Sequence, residues 1–181
     1  MTAINVRLGR TQSEIRLAIS ESSVGYVLVA KSGRGICAIL LGNNPEVLTR
    51  DLQKRFPDAV LLGADSDLED ALTSVVRYID KPTEGIDLSL GLSLDLQGTE
   101  FQQRVWKALL EIPVGSTASY QTIANRIGLP KSVRAVAQAC GANALAVVIP
   151  CHRVVRSDGA LSGYRWGIDR KRALLNREAY A

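Results

Sequence analysis

A chain of 181 residues, 46% hydrophobic and 22% charged, is long enough for one large domain or two small ones that share a core. No apolar run is long enough to span a bilayer, and the opening MTAINVRLGR lacks the apolar segment of a secretory signal, so a soluble cytoplasmic protein is expected. The net charge of +4 is uneven: residues 1–92 carry 10 Lys+Arg against 12 Asp+Glu, and residues 93–181 carry 12 against 6, so the second half either meets a polyanion or presents a solvated basic face.

The first half reads as α/β. Ile15–Ile19, Tyr26–Ala30 and Ile36–Leu41 are short apolar runs separated by Ser/Gly turns, as strands require. Asn44-Pro45 offers an N-cap and a proline at the first helical position, and Leu48, Leu52 and Phe56 line one helix face up to Pro57. Ala59–Leu62 reads as another strand. Leu68, Leu72, Val75, Val76 and Ile79 mark a second helix that ends near Pro82. This half reads as scaffold, with Cys37 a small buried hydrophobe between Ile36 and Ala38.

A Gly/Ser/Leu stretch from Gly85 to Gly98 reads as a connector, which divides the chain into 1–92 and 93–181. The second part is mainly helical. Thr99 and Gln102 make a capping box, and Phe101, Val105, Leu109 and Ile112 line the helix that follows. Helices are expected at about Ser119 to Ile127, Ser132 to Cys140 and Ile168 to Ala179. The first two, with Gly128 at the turn and Pro130 opening the next helix, have the layout of a helix-turn-helix over about 119–141. Its second helix carries small residues, Ser132, Val133, Ala135, Val136, Ala137 and Ala139, with Arg134 and Gln138 the long polar groups. Such a surface approaches a groove closely and reads little sequence. Arg134 could enter the base stack beside a displaced nucleotide.

Pro150-Cys151-His152-Arg153-Val154 places the single histidine next to one of three cysteines. A thiol becomes a strong nucleophile as the thiolate, and Arg153 and Arg156 put positive charge nearby. Adjacent strand residues face opposite ways, so Cys151 and His152 need a turn or a bridging water to communicate. Glu178 on the last helix could accept a hydrogen bond from His152. The loop Ser157–Gly167, with Tyr164 and Trp166, could wall a pocket for a flat base. An odd cysteine count without Cys-x-x-Cys is a poor disulfide framework and a poor zinc site. Two rivals stand at this point: a DNA-binding regulator with a structural cysteine, and a cysteine hydrolase.

IPCHRV, followed by GALSGYRWG and preceded by SYQ, KSVRAV and GAN, resembles the O6-alkylguanine-DNA alkyltransferases over essentially the whole chain. The resemblance implies an α+β fold: a ribonuclease-H-like N-terminal subdomain, an antiparallel sheet with helices, and then a mainly helical subdomain with a helix-turn-helix. It implies direct-reversal repair of O6-alkylguanine, with O4-alkylthymine as a second substrate. The alkyl group passes irreversibly to Cys151 in one turnover.

In the roles it implies, His152 takes the thiol proton through a water, Glu178 orients His152, and Asn143 ties the turn before the active segment. Tyr120 contacts the target base or its phosphate. Arg134 fills the gap left by the flipped nucleotide, among DNA contacts from Ser132, Val133 and Ala135. Val154, Tyr164, Arg165 and Trp166 form the base pocket. The partner implied is double-stranded DNA, gripped in the minor groove without sequence preference by a monomer, with no cofactor and no metal. The methyl-phosphotriester domain that precedes this region in some bacterial members does not occur in this sequence, so its transcriptional role is not carried over.

Overall fold

The computed structural model describes residues 12–86 and 93–180, so the expected boundary near residue 92 falls partly outside the described residues. Strands β1 (Glu14–Ser22), β2 (Gly25–Ser32) and β3 (Gly35–Gly42) form an antiparallel meander. All eight positions of β2 and β3 from Val27 to Ala30 and from Ile36 to Ile39 are buried, because helices and the C-terminal half cover the sheet. Helix α1 (Pro45–Arg55) begins where the Asn44 side chain accepts from the backbone N–H of Glu46 and Val47, at 2.8 and 3.1 Å. It buries Leu48 and Leu52.

After α1 the chain adds β4 (Val60–Leu62) beside β1, and here the sheet departs from the expected antiparallel pattern. The order is β3-β2-β1-β4, with β4 parallel to β1. The reason is the crossover through α1, which carries the chain past two strands before it re-enters the sheet on the far edge. Helix α2 (Ser66–Asp80), capped by Asp65, covers the sheet with Leu68, Leu72, Val75 and Ile79.

Helix α3 (Glu100–Leu110) opens with the complete capping box: Gln102 N–H donates to Thr99 Oγ1 at 3.2 Å, and the Gln102 side chain accepts from Thr99 N–H at 3.0 Å. Helices α4 (Tyr120–Arg126) and α5 (Val133–Gly141) pack on α3. Gly128 takes the left-handed conformation between them, at φ +74. The sequence predicts that Pro130 opens α5, and it does not. It lies in the turn, where its carbonyl accepts from Gln121 Nε2 at 2.9 Å, and α5 starts at Val133. A two-stranded parallel pair, β5 (Ala118–Ser119) with β6 (Val154–Val155), was not anticipated, because two-residue strands leave no periodicity to read. Helix α6 (Ile168–Ala179) closes the fold.

The halves are stitched at the outer edge of β3. Ile39 N–H donates to Ala144 O at 2.7 Å, and Ala146 N–H donates to Ile39 O at 3.0 Å. One buried apolar cluster runs through both halves. The segment that leads to Cys151 is therefore built as an extra rung on the N-terminal sheet. No helix among the described residues is long and apolar enough to cross a membrane.

Candidate active site

The approach to Cys151 is tightly folded. Val147 is buried and has φ +60, an uncommon and strained conformation for a β-branched residue. Asn143 holds this arrangement: its Nδ2 donates to Ile149 O at 3.0 Å and Leu145 O at 3.3 Å, and its Oδ1 accepts from Leu145 N–H at 2.8 Å. The same Nδ2 lies 3.2 Å from Cys151 Sγ, so one buried amide both ties the turn and reaches the sulfur.

Cys151, His152 and Arg153 form a single 3-10 turn, which resolves the facing problem that an extended chain would pose. His152 is fully buried, and its Nε2 lies 2.7 Å from Glu178 Oε1. Burial works against the Glu178 carboxylate, but hydrogen bonds from His152 and Arg153 outweigh it and hold the carboxyl at about 2. An ionised carboxylate only accepts, so Nε2 carries the proton and Nδ1 presents a lone pair. Burial also lowers the His152 pKa against the pull of Glu178, which favours this neutral ring. Nδ1 is buried and has no protein partner among the described residues.

Arg153 is buried rather than solvated. Its Nε donates to Glu178 Oε2 at 2.9 Å, and its terminal nitrogens donate to Glu178 Oε1 (2.8 Å), Tyr78 OH (2.8 Å) and Ile112 O (2.7 Å). Its charge is spent on Glu178, while Arg156 is exposed and sits 3.9 Å from Asp158. Neither arginine activates the thiol in the way the sequence suggested. Burial instead pushes the Cys151 thiol up to about 11, opposed by the Asn143 amide and the Lys171 ammonium, so the resting sulfur holds its proton and requires a base. Lys171 is a site residue that sequence reading missed. In an arginine-rich helix it looks solvated, yet it is fully buried, with Nζ donating to Val154 O at 2.6 Å.

Cys151 lies in a cavity of about 390 Å³ lined by Tyr120, Ala137, Cys140, Gly141, Ser162, Gly163, Tyr164 and Arg165, within the size range of small-ligand sites. The cavity thus joins the start of α4, one face of α5 and the Ser162–Arg165 loop. Larger grooves of about 760 and 640 Å³ contain neither cysteine nor histidine. Two expected pocket residues are not in its lining. Val154 N–H is taken by Cys151 O, and its carbonyl by Lys171. Trp166 is buried behind the loop, edge-on to Tyr164 at 5.3 Å and beneath the Arg165 guanidinium at 5.7 Å, and it lines grooves facing Leu40, Leu41 and Leu48. It anchors the loop to the sheet half. Arg134 is exposed on α5, and Ser132, Val133 and Ala135 are partly exposed at its start; the Ser132 hydroxyl makes no capping hydrogen bond. No group of three or more His, Cys, Asp or Glu side chains suited to a metal exists among the described residues.

A mixed sheet domain followed by a helical domain, with a cysteine in the lining of a cavity, defines a thiol-bearing α+β protein. The comparisons narrow this class. Residues 15–96 match the 6-O-methylguanine DNA methyltransferase ribonuclease-like domain, and residues 100–180 match the DNA-binding domain of the same family. The inducible methylated-DNA--protein-cysteine methyltransferase of Bacillus subtilis is 40% identical over 154 residues, 84% of each chain. The chain belongs to the 6-O-methylguanine DNA methyltransferase family.

The bifunctional transcriptional activator/DNA repair enzyme Ada of Escherichia coli is 51% identical over 99% of this chain, which spans about half (49%) of that protein's length. The crystal structure of Mycobacterium tuberculosis OGT in complex with DNA superposes with a TM-score of 0.72 at 35% identity, covering 92% of this chain and 93% of that one.

Proposed function

We propose that this protein reverses O6-alkylation of guanine in duplex DNA by moving the alkyl group once, and permanently, onto Cys151. O4-alkylthymine is a second substrate of the same site. The observation that carries the reading is the buried Cys151 in the lining of the cavity, with Asn143 on its sulfur and an oriented His152–Glu178 pair in the same turn. The names of its relatives and the DNA in the OGT crystal structure support it.

Helices α4 and α5 act as a helix-turn-helix that enters the minor groove, with Ser132, Val133 and Ala135 against the backbone. Arg134 replaces the extruded nucleotide in the stack. The lesion enters the cavity between Tyr120 and the Ser162–Arg165 loop. A water carries the Cys151 proton to His152 Nδ1, and Glu178 stabilises the imidazolium that forms. Sulfur attacks the alkyl carbon, the carbon–O6 bond breaks, and the guanine leaves with a proton from Tyr120. The product thioether is neutral and its thiolate is a poor leaving group, so each molecule acts once. The protein works as a monomer.

Mixing with an O6-methylguanine oligonucleotide should add one CH₂ to the Cys151 peptide, at no more than one equivalent per protein. Cys151→Ala should abolish transfer, by more than about 10³-fold, and still bind DNA. Catalytic turnover would indicate a hydrolase, and an unmodified Cys151 beside a strong preference for one operator sequence would indicate a regulator.

A further inference from the structure

Among the described residues, one buried cation has no anionic partner. Lys171 is completely enclosed, and no carboxylate forms a salt bridge with it among the described residues. Burying an unpaired ammonium is costly, and burial accordingly lowers the Lys171 pKa. Its Nζ donates to the Val154 carbonyl at 2.6 Å and reaches Ser162 Oγ at 3.5 Å. Ser162 Oγ in turn lies 2.5 Å from Tyr120 OH, inside the cavity that holds Cys151.

We propose that Lys171 and Ser162 form a polarised relay that makes Tyr120 the acid for the departing guanine. The proposal rests on the alkyl-transfer reading above. A serine hydroxyl has one proton to give and two lone pairs to receive. With the Lys171 ammonium occupying a lone pair, the Ser162 O–H points to the Tyr120 oxygen. The Tyr120 proton is thereby left free to face the cavity.

During transfer the Cys151 sulfur–carbon bond forms and the carbon–O6 bond breaks. The electron pair moves into the guanine ring, and the Tyr120 O–H bond supplies the proton. The phenolate left behind is held by the Ser162 O–H, and its charge is balanced by Lys171. Burial by itself raises the Tyr120 pKa, and the Ser162 hydrogen bond opposes that rise. Without the relay the phenol would be a poorer acid. Ser162 and Lys171 are therefore positioning residues: they act through Tyr120 and need not touch the substrate.

The test compares two leaving groups. Single-turnover transfer from an O6-methylguanine duplex needs the leaving base to be protonated. Alkylation of Cys151 by iodoacetamide does not, because iodide leaves as the anion. Ser162→Ala should slow transfer at least tenfold, with DNA affinity and the iodoacetamide rate of the Cys151 peptide within twofold of wild type. Ser162→Thr should restore transfer. In a Tyr120→Phe background, Ser162→Ala should cost nothing further, whereas a packing defect would persist there. Lys171→Met should slow transfer more than it slows iodoacetamide.

Wild-type rates in Ser162→Ala overturn the relay, and so do equal losses on both electrophiles or additive losses with Tyr120→Phe. Failure of the parent reading looks different, because wild-type protein would then leave the oligonucleotide alkylated.

Discussion

The two halves of this chain bury different chemistry. Among the described residues, the sheet half encloses apolar side chains, one thiol and the Tyr78 phenol, while Asn143, His152, Arg153, Lys171 and Glu178, the five buried amide or ionisable polar residues, fall within 36 consecutive positions of the other half. Apolar burial in the sheet half stabilises at about 25 cal/mol per Å² with little demand on geometry. The polar cluster stabilises only while every partner stays in place, since a buried charge stripped of its partner costs several kcal/mol. The sheet half is a support whose strength lies in area. The polar cluster trades robustness for a defined direction of every proton.

The sharpest way to break this contrast is to remove one member of each half. Glu178→Ala leaves the Arg153 guanidinium and the His152 ring without their shared acceptor, and should cost about 3–5 kcal/mol and the transfer activity together. Leu28→Ala, at a fully buried sheet position, should cost a similar 2–5 kcal/mol but leave single-turnover transfer intact at temperatures where the protein stays folded. Chemical denaturation paired with a transfer assay measures both. A Leu28→Ala protein that is folded yet inactive would erase the distinction.

Acid should act on the polar cluster selectively. The Glu178 carboxyl is held at about 2 against an ordinary value of 4.5. A depressed carboxyl contributes stability that is fully present above the ordinary value and is lost as pH falls through the folded one. Glu178 therefore stabilises by about 3 kcal/mol above pH 4.5, and this should fade between about 4.5 and 2. Urea midpoints across that window should fall more steeply for wild type than for Glu178→Gln. Parallel slopes would show that the carboxyl is not held down by its neighbours.

Arg134 sharpens the comparison from outside the core. It is exposed, so Arg134→Ala should change stability by less than about 0.5 kcal/mol. Transfer from duplex DNA should fall about 10–100-fold, while reaction with free O6-alkylguanine should hardly change. Equal losses on the two substrates would remove Arg134 from nucleotide extrusion.

Much of this was legible in the sequence, for identifiable reasons. Helix boundaries followed from Asn44, Thr99 and the apolar spacing, because caps and periodicity are local properties. The His152–Glu178 contact was expected from the motif and is present at 2.7 Å. What escaped notice depends on where distant segments meet. Lys171 and Arg153 are drawn from a charge-rich composition, and nothing in their neighbours in sequence marks them as enclosed. The parallel placement of β4 is set by the crossover, not by the residues of β4. Trp166 was expected beside the base because aromatics suit stacking, but its ring is buried behind the loop, edge-on to Tyr164 and beneath the Arg165 guanidinium.

Cys37 gives the smallest expected effect and a test of whether a buried thiol is inert in the support half. It sits in β3 at 3% exposure, with its Sγ 3.6 Å from Ala30 O, and burial pushes its thiol up to about 11, near the value for Cys151. Acidity therefore does not distinguish the two sulfurs. Surroundings do: Cys151 has an amide donor on its sulfur, an oriented imidazole in its own turn and a cavity above it, whereas Cys37 faces packed side chains. Cys37→Ala should leave transfer stoichiometry and rate unchanged and cost about 1 kcal/mol for the lost sulfur contacts. An alkylated Cys37 peptide after reaction with lesion DNA would mean that a raised thiol can act without a base, and would detach reactivity from the polar cluster.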